Sequence, residues 1–307
     1  RVIDIVIVVF VAATATFIMF QAMPGNPEDV LLKGLFEVTP QVREEVIADY
    51  GLDRPVIEQY FHYLSGLIRG DLGQSYQQRQ PVTEVIADSL GPTAALAGAA
   101  LLLAILVSVT SATLTSGRGA VATVTTQIIE LLAISVPSFW IGLLLLTAFP
   151  FQIPIFPSSG ARGFDSLVLP AITLAIPMTG VLTQVLRERF DEALGQPFIT
   201  TVRTRGATEV RVRLVHALRH AVIPALTFSG AILGSLLVGT AVVETLFARP
   251  GLGRTLLTAV LGNDVPLVMG IVIFGSLVFV VVNSLVDVLA TAIDPRSKLK
   301  TRGGSGW

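Results

Sequence analysis

Five apolar blocks, Val2–Ala22, Leu96–Val109, Ile141–Phe149, Leu226–Val243 and Val268–Ala292, divide this chain. Several are long enough to cross hydrocarbon, which takes about 20 apolar residues of helix. Inside a bilayer no water is on hand for backbone N–H and C=O groups, so such runs have to satisfy themselves as helices. The balance of residues agrees: of 307 residues 52% are hydrophobic and only 14% charged, where soluble domains carry about 25% charged residues. The reading is one all-α polytopic membrane protein.

Spans are predicted at 1–23, 90–114, 121–150, 167–189, 225–247 and 267–292, making about six. The first run has no A-x-A cleavage pattern and is expected to be retained. Pro92, Pro137, Pro170 and Pro177 fall at or within spans, which membrane helices tolerate when neighbours satisfy the freed backbone groups. The predicted organisation is a first span at 1–23, an extracytoplasmic segment at 24–89, a permeation core at 90–292 containing a polar region at 190–224, and a tail at 293–307.

The section from Pro24 to Asp88 holds eleven acidic residues against five basic ones. Short amphipathic pieces are expected at Pro40–Tyr50 and Pro55–Ile68; in the second, Val56, Ile57, Tyr60, Phe61, Leu64, Leu67 and Ile68 recur at helical spacing and would pack against the membrane portion. Gly25, Gly51, Gly70 and Gly73 read as backbone turns. Orientation follows from the basic residues. Seven arginines between 187 and 219, together with Arg118 and the tail residues Arg296, Lys298, Lys300 and Arg302, place those parts and both termini in the cytoplasm. Arg162, Arg249 and Arg254 run against this assignment but are few.

Phe190 to Pro224 is a charged interruption between apolar runs. It has an acidic start, a break at Gly195 and Pro197, and a basic amphipathic run from Thr208 to His220. Thr208 is suited to cap a helix beginning with Glu209, with Val212, Val215 and Leu218 near one face and the arginines outside it. Gly206 would permit a sharp change of direction before it. Two readings stand: an interfacial helix anchored by snorkelling arginines, or a short helix presented to the groove of a soluble partner. His216 and His220 share a face, but no carboxylate or cysteine joins them, so local hydrogen bonding is expected and no metal ligand is assigned.

Carboxylates in apolar runs are expensive unless paired or facing an aqueous path. Glu130, Glu244, Asn283 and Asp287 are therefore candidates for a gate or solute path, with interhelical hydrogen bonding the alternative for Asn283. Some classes are disfavoured. There is no G-x-x-x-x-G-K-[ST] run for a nucleotide, no Ser/His/acid or metal constellation for hydrolysis, and no cysteine chemistry of any kind. With a net charge of −1 and only local basic clusters, nucleic acid is not an expected partner. An ATP-independent channel and a non-transporting scaffold remain as rival classes.

The passage VRTRGATEVRVRLVHALRHAVIP resembles the EAA-type loop of permease subunits of binding-protein-dependent ABC importers, in the dipeptide/oligopeptide/nickel branch. Gly206 matches the loop glycine, and His216, Ala217, Leu218, Arg219 and Pro224 match the branch's HALR-x-x-x-x-P element. Thr200, Thr201 and Val202 depart from the usual lead residues. Further matches are Phe20–Pro27 around Pro24-Gly25, Tyr50–Pro55 with Asp53 and Arg54, Arg69–Ser75 with Gly70, Asp71 and Gly73, Pro81-Val82, Val243–Phe247, Arg249–Gly253 and Asp294–Arg296. The resemblance covers nearly the whole chain and suits the first permease of the pair. It implies an inner-membrane subunit with a cytoplasmic coupling-helix loop (Gly206, Thr208, Glu209, Arg211, Val212, Arg213, Val215, His216 and Arg219). The implied partners are a homologous second permease, two cytoplasmic ATPase subunits that hold the ATP and magnesium, and an extracytoplasmic binding protein that meets the segment after the first span. The implied cargo is a dipeptide or oligopeptide, with nickel or another small solute as the alternative.

Overall fold

The computed structural model describes residues 2–32, 38–75, 77–150, 155–221, 236 and 239–293. Helices dominate. Among the described residues four are long and apolar enough to cross a membrane: Ile3–Gln21 within α1 (Val2–Gln21), α5 (Val82–Thr115), α8 (Asp165–Leu194), and Val265–Val286 within α12 (Val265–Ile293). The predicted span 225–247 falls largely on 222–235 and 237–238, outside the described residues; its later part, 239–246, is helical.

One predicted element differs. The stretch read as a single span, 121–150, is two helices, α6 (Ala120–Ser135) and α7 (Ser138–Ala148), bent by 96° at the break. Val136 is extended at φ −84°, ψ 123°, as the residue before a proline tends to be, and Pro137 has no N–H to continue the ladder. The second span also begins earlier than 90. Helix α5 starts at Val82 and runs 34 residues through Pro92, about 50 Å at 1.5 Å per residue, well beyond a hydrocarbon core of about 30 Å.

The chain forms two compact units. Unit one comprises Arg1–Ala94 and Arg249–Val281. After α1, the turn through Pro24 and Gly25 leads to α2 (Pro27–Leu32), and α3 (Pro40–Tyr50) and α4 (Val56–Ile68) follow. Helix α3 starts where Thr39 Oγ1 accepts from the Val42 amide and stops at Gly51 in the left-handed region at φ 60°. Arg43 ties it to α2 through Glu28 at 2.7 Å and Asp29 at 3.0 Å. Phe20, Leu31, Leu32, Val46 and Val265 bury one core of this unit; Val82, Val85, Ile86, Leu267 and Ile271 bury another with Leu252 and Ala259 of α11 (Leu252–Gly262).

Unit two comprises Ala95–Ala248 and the chain from Val282 onward. Its core sets Leu96 and the small residues Ala100 and Ala104 of α5 against Leu169, Leu174, Met178 and Leu182 of α8 with Val243 and Phe247. Small side chains at four-residue spacing let membrane helices approach closely. Gly180 shows the same device between α8 and α6, since a Cβ there would lie 2.9 Å from the Glu130 carbonyl.

Candidate functional site: a charged segment mounted on two helix ends

Unit two ends its α5 and α8 helices together and sets the charged segment on them. Helix α8 stops at Gly195, α9 (Pro197–Thr204) starts with proline at its first turn, and Ile199 is fully buried. The turn after α9 is made by Gly206 at φ 81°, a backbone conformation costly for any residue with a Cβ. Thr208 then caps α10 (Glu209–Arg211), its hydroxyl accepting from the Arg211 amide at 3.4 Å. The helix widens at once into a π-type turn over Val212–Ala217, closed by the Leu218 amide on the Arg213 carbonyl, and continues through 218–221.

Buried alanines and Arg213 fix this segment to its mount, and a further bond ties the two helix ends of the mount together. Ala217 and Ala221 are fully buried against Ala112 of α5 and Leu186, Phe190 and Ala193 of α8. Arg213 Nη1 donates to the carbonyls of Thr113 at 2.8 Å and Ser116 at 2.6 Å, satisfying the end of α5 with a cation where the helix dipole favours one. Asp191 of α8 accepts from the Gly117 amide at 2.7 Å. Phe198 of α9 also meets the His220 ring at 5.0 Å.

The surface left over is mixed. Val210, Arg211, Leu214, Val215 and Arg219 are exposed, His216 is half-buried, and Glu209 is held by Arg203 in a two-point ion pair at 2.8 and 3.3 Å. That guanidinium keeps the Glu209 carboxyl below the usual carboxylate range. Val212 faces inward and is fully buried, whereas Val215 is open. The π-type turn separates two positions that a 3.6-residue period would align.

The remaining predicted residues do not gather in one place. Glu130 is buried on α6 and receives Arg187 of α8 at 3.1 and 3.0 Å, a closed two-point ion pair rather than an open carboxylate. Arg187, counted in the sequence only as a mark of orientation, is the residue sequence reasoning missed; its place as the first charge after the apolar run of α8 was the available signal. Glu244 is buried in the helical stretch 239–246. Asn283 is half-buried on α12, and Asp287 lies on the same helix with its side chain outside the described residues.

In unit one, Arg54 and Asp53 sit in the turn after Gly51, closed by the Arg54 amide on the Gly51 carbonyl. Gly70 at φ 81° and Gly73 at φ 83° shape the Arg69–Ser75 passage, and Asp71 accepts from the Gly73 amide at 2.9 Å. The passage pairs Gln74–Ser75 with Gln80–Pro81 and reaches the turn between α11 and α12, where Ser75 donates to Asp264 and Gln77 to the Gly262 carbonyl. The Asp264 carboxyl is pushed up by burial against the lowering effect of the Ser75 bond.

Long apolar helices that carry a charged segment packed on their ends define a polytopic membrane protein, and comparison with known proteins says of which family. Residues 104–299 match the family described as binding-protein-dependent transport system inner membrane component, and residues 1–97 match its N-terminal membrane-component domain. The chain belongs to this family. It is 36% identical over 305 residues, 96% of each chain, to a protein of Brucella suis described as a peptide transport system permease protein. It is 32% identical over 301 residues, 98% of each chain, to the glutathione transport system permease protein of Escherichia coli K12. It is thus the permease subunit of a binding-protein-dependent ABC importer.

Proposed function

We propose that this permease moves dipeptides or oligopeptides across a prokaryotic inner membrane, and that it transmits nucleotide-driven motion through Gly206–Arg219. The observation that carries the coupling role is the mounting of that segment. Its buried alanines and Arg213 bind it to the ends of α5 and α8, so a force applied at its exposed face reaches two long helices as a rigid push. Val210, Leu214 and Val215 supply apolar anchors, and Arg211 and Arg219 supply orientation toward an acidic ATPase surface.

In this reading the chain binds no cofactor and is not catalytic alone. Two cytoplasmic ATPase subunits hold ATP and magnesium, a homologous second permease completes the translocation path, and an extracytoplasmic binding protein delivers cargo on the side of the 24–89 segment. Both termini face the cytoplasm with the arginine-rich loop. The peptide assignment is supported by the relatives described as peptide and glutathione permeases; nickel or another small solute is the alternative.

ATP hydrolysis by the co-expressed complex in lipid, with and without its binding protein and a mixture of small peptides, tests the reading. Peptide-dependent stimulation is expected. An intact, ATPase-competent complex that responds to nickel or another solute and not to peptides overturns the cargo, and failure of ATPase subunits to bind overturns the coupling.

A further inference from the structure

Helix α4 packs along the side of the first span, as its helical spacing predicts, but it does so through Tyr60 and Tyr63, while Val56, Ile57, Phe61 and Ile68 of the predicted packing set are exposed. Phe17 of α1 stacks on Tyr63 at 5.7 Å between ring centroids and meets Tyr60 at 5.2 Å. Tyr60 shares a hydrogen bond with Thr14 Oγ1 at 2.7 Å, and Tyr63 one with Thr16 Oγ1 at 3.1 Å. Both threonine hydroxyls already donate to carbonyls of their own helix, Thr14 to Phe10 and Thr16 to Ala12 and Ala13, so the phenols are the donors. Gln21, at the end of α1, donates to Gln59 at 2.9 Å. From Gln21 back to Thr14 is about 10 Å along a helix axis. The tyrosine hydroxyls thus find partners well inside the span, the placement expected of an aromatic ring with its body in hydrocarbon and its hydroxyl satisfied by protein.

The outward face of α4 fits that depth. Ile57, Phe61, Leu64 and Ile68 fall at i, i+4, i+7 and i+11, a single stripe, and Ile57, Phe61 and Ile68 are 61, 63 and 88% exposed. Glu58, His62 and Ser65 take the adjoining face, about 100° round the helix from the stripe, and Ser65 and His62 turn their polar groups onto backbone carbonyls. Exposed arginines stand just outside each end, Arg54 and Arg69, where long side chains can reach headgroups. The neighbouring surface of α1 is lipid-type as well, with Ile18 and Met19 open beside Phe17.

We infer that α4 lies in the bilayer, in the leaflet at the Gln21 end of α1, with Ile57, Phe61, Leu64 and Ile68 against acyl chains. The partner of this face is the lipid surface, continuous with that of the first span, rather than water or another subunit. Its consequence is that the segment after the first span is anchored twice, by α1 and by a second helix set among the lipids.

The cysteine-free chain allows a direct test. Single variants Ile57→Cys, Phe61→Cys, Ile68→Cys and Glu58→Cys are nitroxide-labelled in the assembled transport complex in nanodiscs. Relaxation by oxygen is compared with that by a water-soluble nickel chelate. The three stripe positions are expected to favour oxygen several-fold more than position 58. Stripe labels as open to the nickel chelate as position 58 overturn the inference in favour of an aqueous face; labels shielded from both agents overturn it in favour of a protein partner. If a labelled variant fails to assemble, Phe61→Trp in the same complex serves instead: lipids brominated along the chain are expected to quench the added fluorescence, and its persistence unquenched overturns the inference.

Discussion

The segment after the first span and the segment after α8 are both polar interruptions of an apolar chain, and they are held in different ways. The first is built from backbone: left-handed glycines at Gly51, Gly70 and Gly73, an Asp71 turn, and side chains such as Gln59 that donate to the Leu52 and Arg54 carbonyls. The second is built from attachment: buried alanines and charged side chains that clasp the ends of α5 and α8. Turn-built structure keeps a shape on its own, whereas attached structure moves with what it is attached to. In the proposed function that difference suits a first segment that receives cargo and a second that acts as a lever.

The largest effect should come from the helix that carries the second segment, α8, where it is clasped to α6. Arg187→Met leaves the Glu130 carboxylate buried without its partner, and breaking one side of such a pair costs about 3–5 kcal/mol. The thermal midpoint of the purified complex should fall sharply, and adding Glu130→Leu should restore most of the loss. A single variant as stable as the parent would show that the pair does not hold α6 to α8.

Two glycines with the same backbone separate the modes of support. Gly73 and Gly206 sit at φ 83° and 81°, and an alanine at either should lose about 1–2 kcal/mol to left-handed strain. A Cβ at Gly73 would also stand 2.6 Å from the Tyr50 hydroxyl, while at Gly206 it meets nothing within 4 Å. Gly73→Ala should therefore lose about 1–3 kcal/mol more through overpacking, and Tyr50→Phe should recover part of it. Equal midpoints for the two alanine variants would erase the distinction.

Within the lever, Arg213 and Arg211 should part company. Arg213→Met removes two charge-assisted bonds at the end of α5, a loss of about 1.5–3 kcal/mol. Arg211 is exposed, so Arg211→Glu should leave the midpoint in place and weaken co-purification of the ATPase subunits. If Arg211→Glu retained full ATPase binding and transport, the orienting role of that residue would be lost.

How far the sequence could be read follows from which forces were local. Thr39-Pro40 and Gly51 bound α3 at the predicted residues, and Thr208 and Gly206 are legible for the same reason: caps and left-handed turns are set by neighbours in the chain. The bend at Pro137 was not legible, because membrane helices host prolines both straight and broken, as Pro92, Pro170 and Pro177 within α5 and α8 show. Nor was the Glu130–Arg187 pair, which joins residues far apart in sequence. Val212 turned inward because a π-type turn breaks the period on which the facing of Val212 with Val215 was reckoned.

The smallest expected effect concerns Glu209. Its carboxyl is held below the usual range by the Arg203 hydrogen bond and the charges of Arg203 and Arg213, against an unfolded value of about 4.3. A depressed carboxyl contributes stability that is present above the unfolded value and is lost as pH falls through the lower folded value. The pair is fully exposed to solvent screening, so the contribution should be slight and should fade in high salt. Glu209→Gln should flatten the acid limb of the stability profile below about pH 4 without moving the midpoint at neutral pH. A shift at neutral pH as large as that of Arg213→Met would mean that the exposed pair, and not the buried clasp on α5, holds the lever in place.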